Sequence, residues 1–466
     1  MSDLPSGWTQ TTLGEIAATS LGKMLDRGKS GDDHLVPYLR NSNVQWGRID
    51  LDDVLTMDIP LEEQGFFGLQ AGDLLVCEGG EIGRCAIWPG GSKYMAFQKA
   101  LHRVRPYESV PAKFILYLLE YLSNTGVLLS FATGSTIKHL PQEQLRRLPV
   151  KLPPLPEQQR IVATLEDHVS RLDAATYNVN QATAWVRQLR RSIYDHIASG
   201  RIMSNAASGY SASSELVNGW TWVCPDEVTS GSQKDIVIGP FGSDLKVADY
   251  KDDGIPLVFV RNIRSGAFGD AGTRYISRAK ADELRTHQVI RGDVLITKMG
   301  EPPGDSCVYT SDTPGIITAD CIRLRPGLNW DSQYLSIAIN SPLVRAQIAR
   351  ITRGIAQRKV SLGRFRAEVK IPVPPPALQS EVVDEAERLL SLTGSLEAAL
   401  VRALKRRYSL RRALFTEAFA GRLVPQDTAD EPASLLLERI QSKRALQPAM
   451  RRVRGTTKVA LEEALP

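Results

Sequence analysis

Two short loops carry side chains suited to reading DNA. Residues 38–44, YLRNSNV, and residues 259–265, FVRNIRS, align as Arg40-Asn41 against Arg261-Asn262, with Asn43 and Arg264 beside them. Arginine bonds bidentately to guanine edges and asparagine to adenine edges, so Arg-Asn on a presented loop suits base readout. The alternative is a local role, with the arginine capping a carbonyl and the asparagine closing a turn. Two further turns join a glycine to cations: Gly134 with Lys138, and Gly354 with Gln357, Arg358 and Lys359. A turn glycine lets backbone approach a phosphate, and the cation supplies charge. Residues 238–246, IGPFGSDLK, end in Lys246, another candidate DNA contact, but lack the GK[ST] ending of a P-loop.

Chemistry that makes or breaks bonds is harder to find. Residues 78–83, EGGEIG, do not give GxGxxG, and their second copy carries prolines there. Glu368-Val369-Lys370 spells part of a nuclease motif without a suitably placed aspartate before it. There is no [ND]PP[FY] methyltransferase tetrapeptide and no setting for a serine or cysteine triad. The six histidines show no ligand spacing. Cys77, Cys85, Cys224, Cys307 and Cys321 form no CxxC pair and are odd in number, against both a zinc site and a disulfide framework. The expectation is a non-catalytic chain with reduced thiols, no metal and no cofactor of its own, in the cytoplasm. No run of 18 apolar residues suggests a membrane span, and the MSDLPSGW start gives no expectation of a secretory leader.

These loops are positioned by a duplicated scaffold. GWTQTTLGEI at 7–16 returns as GWTWVCPDEV at 219–228, and AGDLL at 71–75 returns as RGDVL at 291–295. ALHRVRP matches CIRLRP, GSTIKHL matches GIAQRKV, and ASGRIM at 198–203 matches FAGRLV at 419–424. The order is the same and the offset moves only from 212 for the first match to about 220 for the rest, too long a period for a solenoid. Each copy begins with short apolar runs between Gly-Asp and Pro signals, which read as strands and turns, with one amphipathic helix inside. A proline cluster follows, at 153–156 and 374–376, and then a long stripe of apolar residues at helical spacing. The first stripe runs from Ile161 through Leu172, Val179 and Leu189 to Ile197; the second runs from Val382 through Leu396 to Leu414, interrupted by Gly394.

The expected fold class is α+β: two duplicated mixed α/β domains separated by two long antiparallel, coiled-coil-like helices with pseudo-twofold symmetry. The expected boundaries are 1–153 and 218–373 for the domains, 154–203 and 374–422 for the helices, 204–217 for a linker and 423–466 for a C-terminal segment. Charge is nearly balanced, 57 Lys+Arg against 52 Asp+Glu, so any polyanion must be met by local clusters. Arg190 and Arg191 on the first helix, and Arg406 and Arg407 on the second, are such clusters and candidate partner-docking residues. Lys443, Arg444, Arg451, Arg452, Arg454 and Lys458 give a basic tail without an acid.

The chain resembles the specificity subunits of type I restriction–modification enzymes. The resemblance rests on LPSGW at 4–8, the AGDLL and RGDVL runs, LPPLPEQQRIV opening the first helix, and GRLVPQDTADEPASLLLERI at 421–440. It implies two target-recognition domains, each reading half of a bipartite asymmetric site on double-stranded DNA. It further implies that the helices fix the unread spacer and dock two modification subunits, which carry an S-adenosylmethionine-dependent adenine methyltransferase. Restriction subunits using ATP and magnesium would join that core, and no membrane is involved. Two alternatives stay open: a specificity subunit of a type II-like or orphan modification system, and a coiled-coil scaffold that binds no DNA.

Overall fold

The computed structural model describes residues 4–25, 33–107, 109–135, 138–203, 216–217, 219–264, 266–270, 272–354 and 358–446. The chain divides into two compact units, Met1–Tyr177 with Leu404–Pro466, and Asn178–Ala403. Each unit therefore combines one globular portion with a half of each long helix.

The repeated Gly-Asp pair is a turn device. Gly72 and Gly292 take φ of +89° and +93°, a left-handed conformation that suits glycine. The following Asp73 and Asp293 accept backbone hydrogen bonds from Gln70 (2.8 Å) and Ile290 (2.8 Å), closing the turn. Each carboxylate is nearly fully buried and also takes a bidentate arginine, Arg105 at 2.6 and 2.7 Å in one unit and Arg325 at 2.7 Å twice in the other. The strands launched by these turns, Leu74–Cys77 and Val294–Thr297, are buried along their whole length. In the first unit, Leu74–Cys77 lies between Leu101–Pro106 and Cys85–Ile87 in an antiparallel sheet closed by Ala17–Leu21. In the second, Val294–Thr297 lies between Cys321–Leu324 and Ser306–Val308, closed by Ile236–Ile238. A second sheet in each unit is centred on Leu35–Leu39 or Ile255–Val258, and each central strand pairs parallel with one neighbour. Ala112–Asn124 is the expected amphipathic helix of the first unit. The single helix expected over 332–350 in the second instead breaks into Ser332–Asn340 and Pro342–Ile351, because Ser341 caps the second helix and Pro342 has no N–H to continue the first.

The long helices span Leu155–Ser199 and Gln379–Phe419, 45 and 41 residues, and the second runs unbroken through Gly394. They are antiparallel within each unit. In the first unit, Ile161 and Leu165 share a core with Phe415 and Phe419, while Asp173 further along pairs with Arg407 at 2.6 Å. In the second, Ile193 and Ile197 share a core with Val382 and Ala386, while Arg190 pairs with Glu397 at 3.2 Å. Each helix ends on a left-handed glycine packed against the tryptophan of one GW motif. Gly421 (φ +71°) meets Trp8, and Gly200 (φ +82°) meets Trp220, where a Cβ would lie 2.7 Å from the ring. The first helix thus follows one globular portion in sequence but ends on the core of the other.

The apolar stripes are buried only where a domain adds a third surface. Leu189, Leu396 and Leu410 are about half exposed, and Ala175 is exposed, because two helices alone cover a single seam. Lys443 and Arg444 are helical, in Ala433–Leu446, and Arg444 donates to the Gly14 carbonyl at 3.3 Å; residues 451–458 of the expected tail lie outside the described residues.

Candidate nucleic-acid interface

The two Arg-Asn loops superpose two residues away from the alignment read in the sequence. Asn43 Oδ1 accepts from the Arg40 backbone N–H at 2.9 Å, and Asn43 Nδ2 donates to the Asp50 and Asp53 carbonyls at 3.0 Å. Asn262 Oδ1 accepts from the Phe259 N–H at 2.8 Å, and its Nδ2 donates to the Gly269 carbonyl at 2.8 Å. Asn43 and Asn262 are therefore the same residue of the same 3-10 turn, both buried with their amides engaged by backbone. Arg40, Asn41 and Ser42 of one turn then occupy the places of Phe259, Val260 and Arg261 in the other. A buried amide that closes its own turn is not available to a base edge while the turn is folded.

The other loop residues are differently placed. Arg40 is partly buried and bonds the Asp53 carboxylate (2.6 Å) and carbonyl (3.0 Å). Asn41 donates to the Gly79 carbonyl at 3.2 Å, and its own carbonyl accepts from Arg84 at 2.9 Å. Arg261 is exposed, lies 4.0 Å over the Phe259 ring and donates to the Gly272 carbonyl. Arg264 is exposed next to it.

Lys138 and Lys246 are exposed; the Lys246 backbone N–H donates to Asp249 at 2.7 Å, leaving its ammonium at the surface. Arg358 and Lys359 are exposed, and Lys359 sits in a hairpin where Arg353 pairs with it and Thr352 with Val360. The same hairpin bridges Met299, as His139 in the first unit bridges Gly79, so the two glycine turns occupy equivalent places. Gln357 lies outside the described residues. On the helices, Arg191 and Arg406 are exposed, while Arg190 and Arg407 bond acids of the facing helix.

Five contributors escaped the sequence reading. Arg345 and Tyr194 line a large cavity of the second unit together with Arg191 and Arg358, drawn from separate elements with no shared motif. Phe268, Tyr275 and Tyr309 line a second cavity of about 580 Å3 next to Asn262. Burial pushes the thiols up, Cys77 to about 11 and Cys307 and Cys321 to about 12, which suits packed side chains and not nucleophiles. Among the described residues no cluster of histidine, cysteine and carboxylates is placed to hold a metal, and no helix is long and apolar enough to cross a membrane.

Comparison with known proteins adds the following. Residues 5–181 match the family model for the type I restriction modification DNA specificity domain. The EcoKI specificity subunit of Escherichia coli strain K12 is 20% identical, with 95% of this chain and 96% of that protein covered. The StySPI subunit of Salmonella potsdam is 21% identical over 95% of this chain and 96% of its own length. Among solved structures, one from a study of complex assembly and conformational transition of the type I R-M system has a TM-score of 0.69 at 18% identity, covering 91% of this chain and 100% of that one. The HsdS subunit from Thermoanaerobacter tengcongensis has a TM-score of 0.50 at 17% identity, covering 90% and 98%. These structural likenesses support the fold.

Proposed function

The chain is a specificity subunit of the type I restriction–modification family, and we propose how its two units divide the reading of a bipartite DNA site. It is the non-catalytic component; methyl transfer and cleavage belong to other polypeptides of such systems. The observation that carries our reading is the shared turn. One buried asparagine holds the same backbone in both units, yet the other positions of that turn carry Arg40, Asn41 and Ser42 in one and Phe259, Val260 and Arg261 in the other, with Ser42 and Arg261 exposed. A common frame with unlike side chains suits two readers of different half-sites. In this proposal Arg40, Asn41, Arg261 and Arg264 discriminate bases. Lys138, Lys246, Arg358, Lys359 and Gln357 contact phosphates.

We assign the half-exposed apolar residues of the long helices, including Trp185, Leu392, Leu396 and Val401 in the second unit, to docking two modification subunits. Arg191 lies on the helices of the second unit with that surface and Arg406 on those of the first, and Arg190 and Arg407 each tie the helix pair of their own unit. Restriction subunits would join this core. S-adenosylmethionine would be bound by the modification subunits, and ATP with magnesium by the restriction subunits, with none held here.

The test is genome-wide mapping of methylated adenines with the wild-type chain and with Arg40→Ala or Arg261→Ala. Each substitution should relax or abolish recognition at one half-site and leave the other unchanged. A uniform loss on all sequences would make both arginines phosphate contacts and refute the division of reading. A DNA affinity absent or indifferent to salt would favour the protein-only scaffold.

A further inference from the structure

The second unit holds a cavity of about 1000 Å3 lined by five arginines, Arg187, Arg190, Arg191, Arg345 and Arg358, against two acids, Asp305 and Glu397. Glu397 takes Arg190 at 3.2 Å, and Asp305 takes Arg345 through Nη2 at 3.1 Å. The wall still carries an excess of three cations. Two of its buried polar atoms have no hydrogen-bond partner, Arg345 Nη1 and Tyr194 Oη, and Tyr194 is only 4% exposed. Both are donors, and both are of the kind that a bound anion would satisfy. Burial pushes Arg345 below its ordinary range against the pull of Asp305, and Arg191 pushes the same way.

The sister unit shows what an internally neutralised version looks like. The repeat places Arg411, Phe415 and Glu120 where the second unit has Arg190, Tyr194 and Asn340. There Glu120 receives Arg411 bidentately at 2.6 and 3.0 Å, and the aromatic carries no hydroxyl. Asn340 brings no charge, and its amide is committed to the Ser306 backbone at 3.0 and 2.8 Å. The second unit has therefore exchanged a buried acid for an amide and gained a phenol, which leaves the cavity short of negative charge.

The rim identifies the occupant. Thr352, Gly354 and Arg358 belong to the glycine turn assigned above to phosphate contact, so the cavity opens beside the strand pair that our reading turns towards DNA. We propose that this cavity is a phosphate socket that seats one backbone phosphate of the DNA on the second recognition domain. Tyr194 Oη and Arg345 Nη1 are its donors, with Arg191 and Arg358 as flanking cations. This rests on the reading of the chain as a DNA-reading subunit, and it moves Arg191 from partner docking to DNA binding. The socket anchors register at one half-site without reading sequence.

The test uses the full chain assembled with its modification subunits and a duplex carrying the site found by methylation mapping. Affinity is measured from about 50 to 200 mM salt for wild type, Arg191→Gln, Arg358→Gln and Tyr194→Phe. Each arginine variant should reduce the salt slope by about 0.9, so the affinity lost across that range becomes roughly 3.5-fold smaller than for wild type. Tyr194→Phe should weaken binding with the slope unchanged, and all three losses should be the same on a scrambled duplex. Unchanged slopes and affinities, or losses confined to one sequence, would overturn the socket. Variants that shed the modification subunits on gel filtration would return Arg191 to protein docking and also overturn it. A wild-type complex with no salt-dependent DNA affinity would instead defeat the underlying functional reading.

Discussion

Severing the chain within residues 204–215 tests whether the two halves are as interlocked as the packing indicates. Such a cut yields one fragment with the first recognition domain and first long helix, and another with the second of each. The second fragment inserts Phe415, Phe419, Leu436 and Ile440, all nearly fully buried, into the first unit against Phe114, Tyr117 and Ile161. At about 1.5–3 kcal/mol for each large apolar side chain, that seam contributes on the order of 10 kcal/mol before ordering costs. Ring pairs such as Tyr121 with Phe419, stacked at 5.0 Å, add to it. The first fragment answers with Ile193, Tyr194 and Ile197 in the core of the second unit. Association costs about 4–15 kcal/mol once, whereas both seams form in the same complex. The pieces should therefore co-elute at micromolar concentration after cleavage at an inserted protease site, and should reassemble when mixed after separate expression. Phe415→Ala with Phe419→Ala should weaken the pair without separating it, because the second seam remains. Fragments that elute separately at about 10 μM, above a dissociation constant equivalent to about 8 kcal/mol, would refute the argument.

Two further predictions concern how each helix is held. Arg411 is buried beside Glu120, and although burial works against its charge, that carboxylate and Asp173 hold it above its ordinary range. Glu120→Ala leaves the guanidinium with Asp173 alone at 3.6 Å and should cost about 3 kcal/mol, read as a protection loss on the order of 100-fold in hydrogen exchange of residues 114–122. Glu120→Leu with Arg411→Met should recover most of it, and a double variant as weak as the single would show that packing, not an unpaired charge, sets the loss. Glu157 behaves oppositely: burial raises its pKa, opposed by the hydrogen bond from Trp8 Nε1 at 3.0 Å. The stability from its neutral form is present below the unfolded carboxylate range, about pH 4, and is lost as pH rises through the raised folded value. Glu157→Gln keeps the acceptor for Trp8, so its melting temperature should exceed wild type at pH 7 and converge with it near pH 4; a lower value at pH 7 would contradict this.

Duplication and helix positions were legible because they rest on long-range periodicity and on glycines that few other residues replace. Gly200 and Gly421 repeat because a helix must stop in a left-handed residue against a tryptophan. The turn register was misread for an equally physical reason. Arg-Asn occurs as a dipeptide in both loops, but the backbone is set by whichever asparagine is buried, and burial is not visible in a dipeptide. The compact units cut through the long helices because packing follows the antiparallel neighbour, not the chain order. The cavity was out of reach, since Tyr194, Arg345 and Arg358 lie far apart in sequence and meet only through the fold.

The two copies also separate what a DNA reader must keep from what it can vary. The pairs of a buried aspartate with a half-buried arginine, Asp73 with Arg105 and Asp293 with Arg325, are the same in both, because removing the arginine leaves a buried carboxylate without its counter-charge. The buried asparagines that close the recognition turns are the same for a similar reason, since each satisfies backbone groups that have no water to turn to. The remaining positions of those turns have diverged, to Arg40 held by Asp53 in one unit and Phe259 packed beneath Arg261 in the other. In the proposed reading, half of the specificity can change through those side chains while the buried asparagine keeps the backbone of each turn closed. The exchange of Glu120 for Asn340 is the exception: it alters a buried charge, and it does so where an open cavity can admit a compensating anion. That coincidence is why the second unit's cavity is better understood as a binding site than as a packing defect.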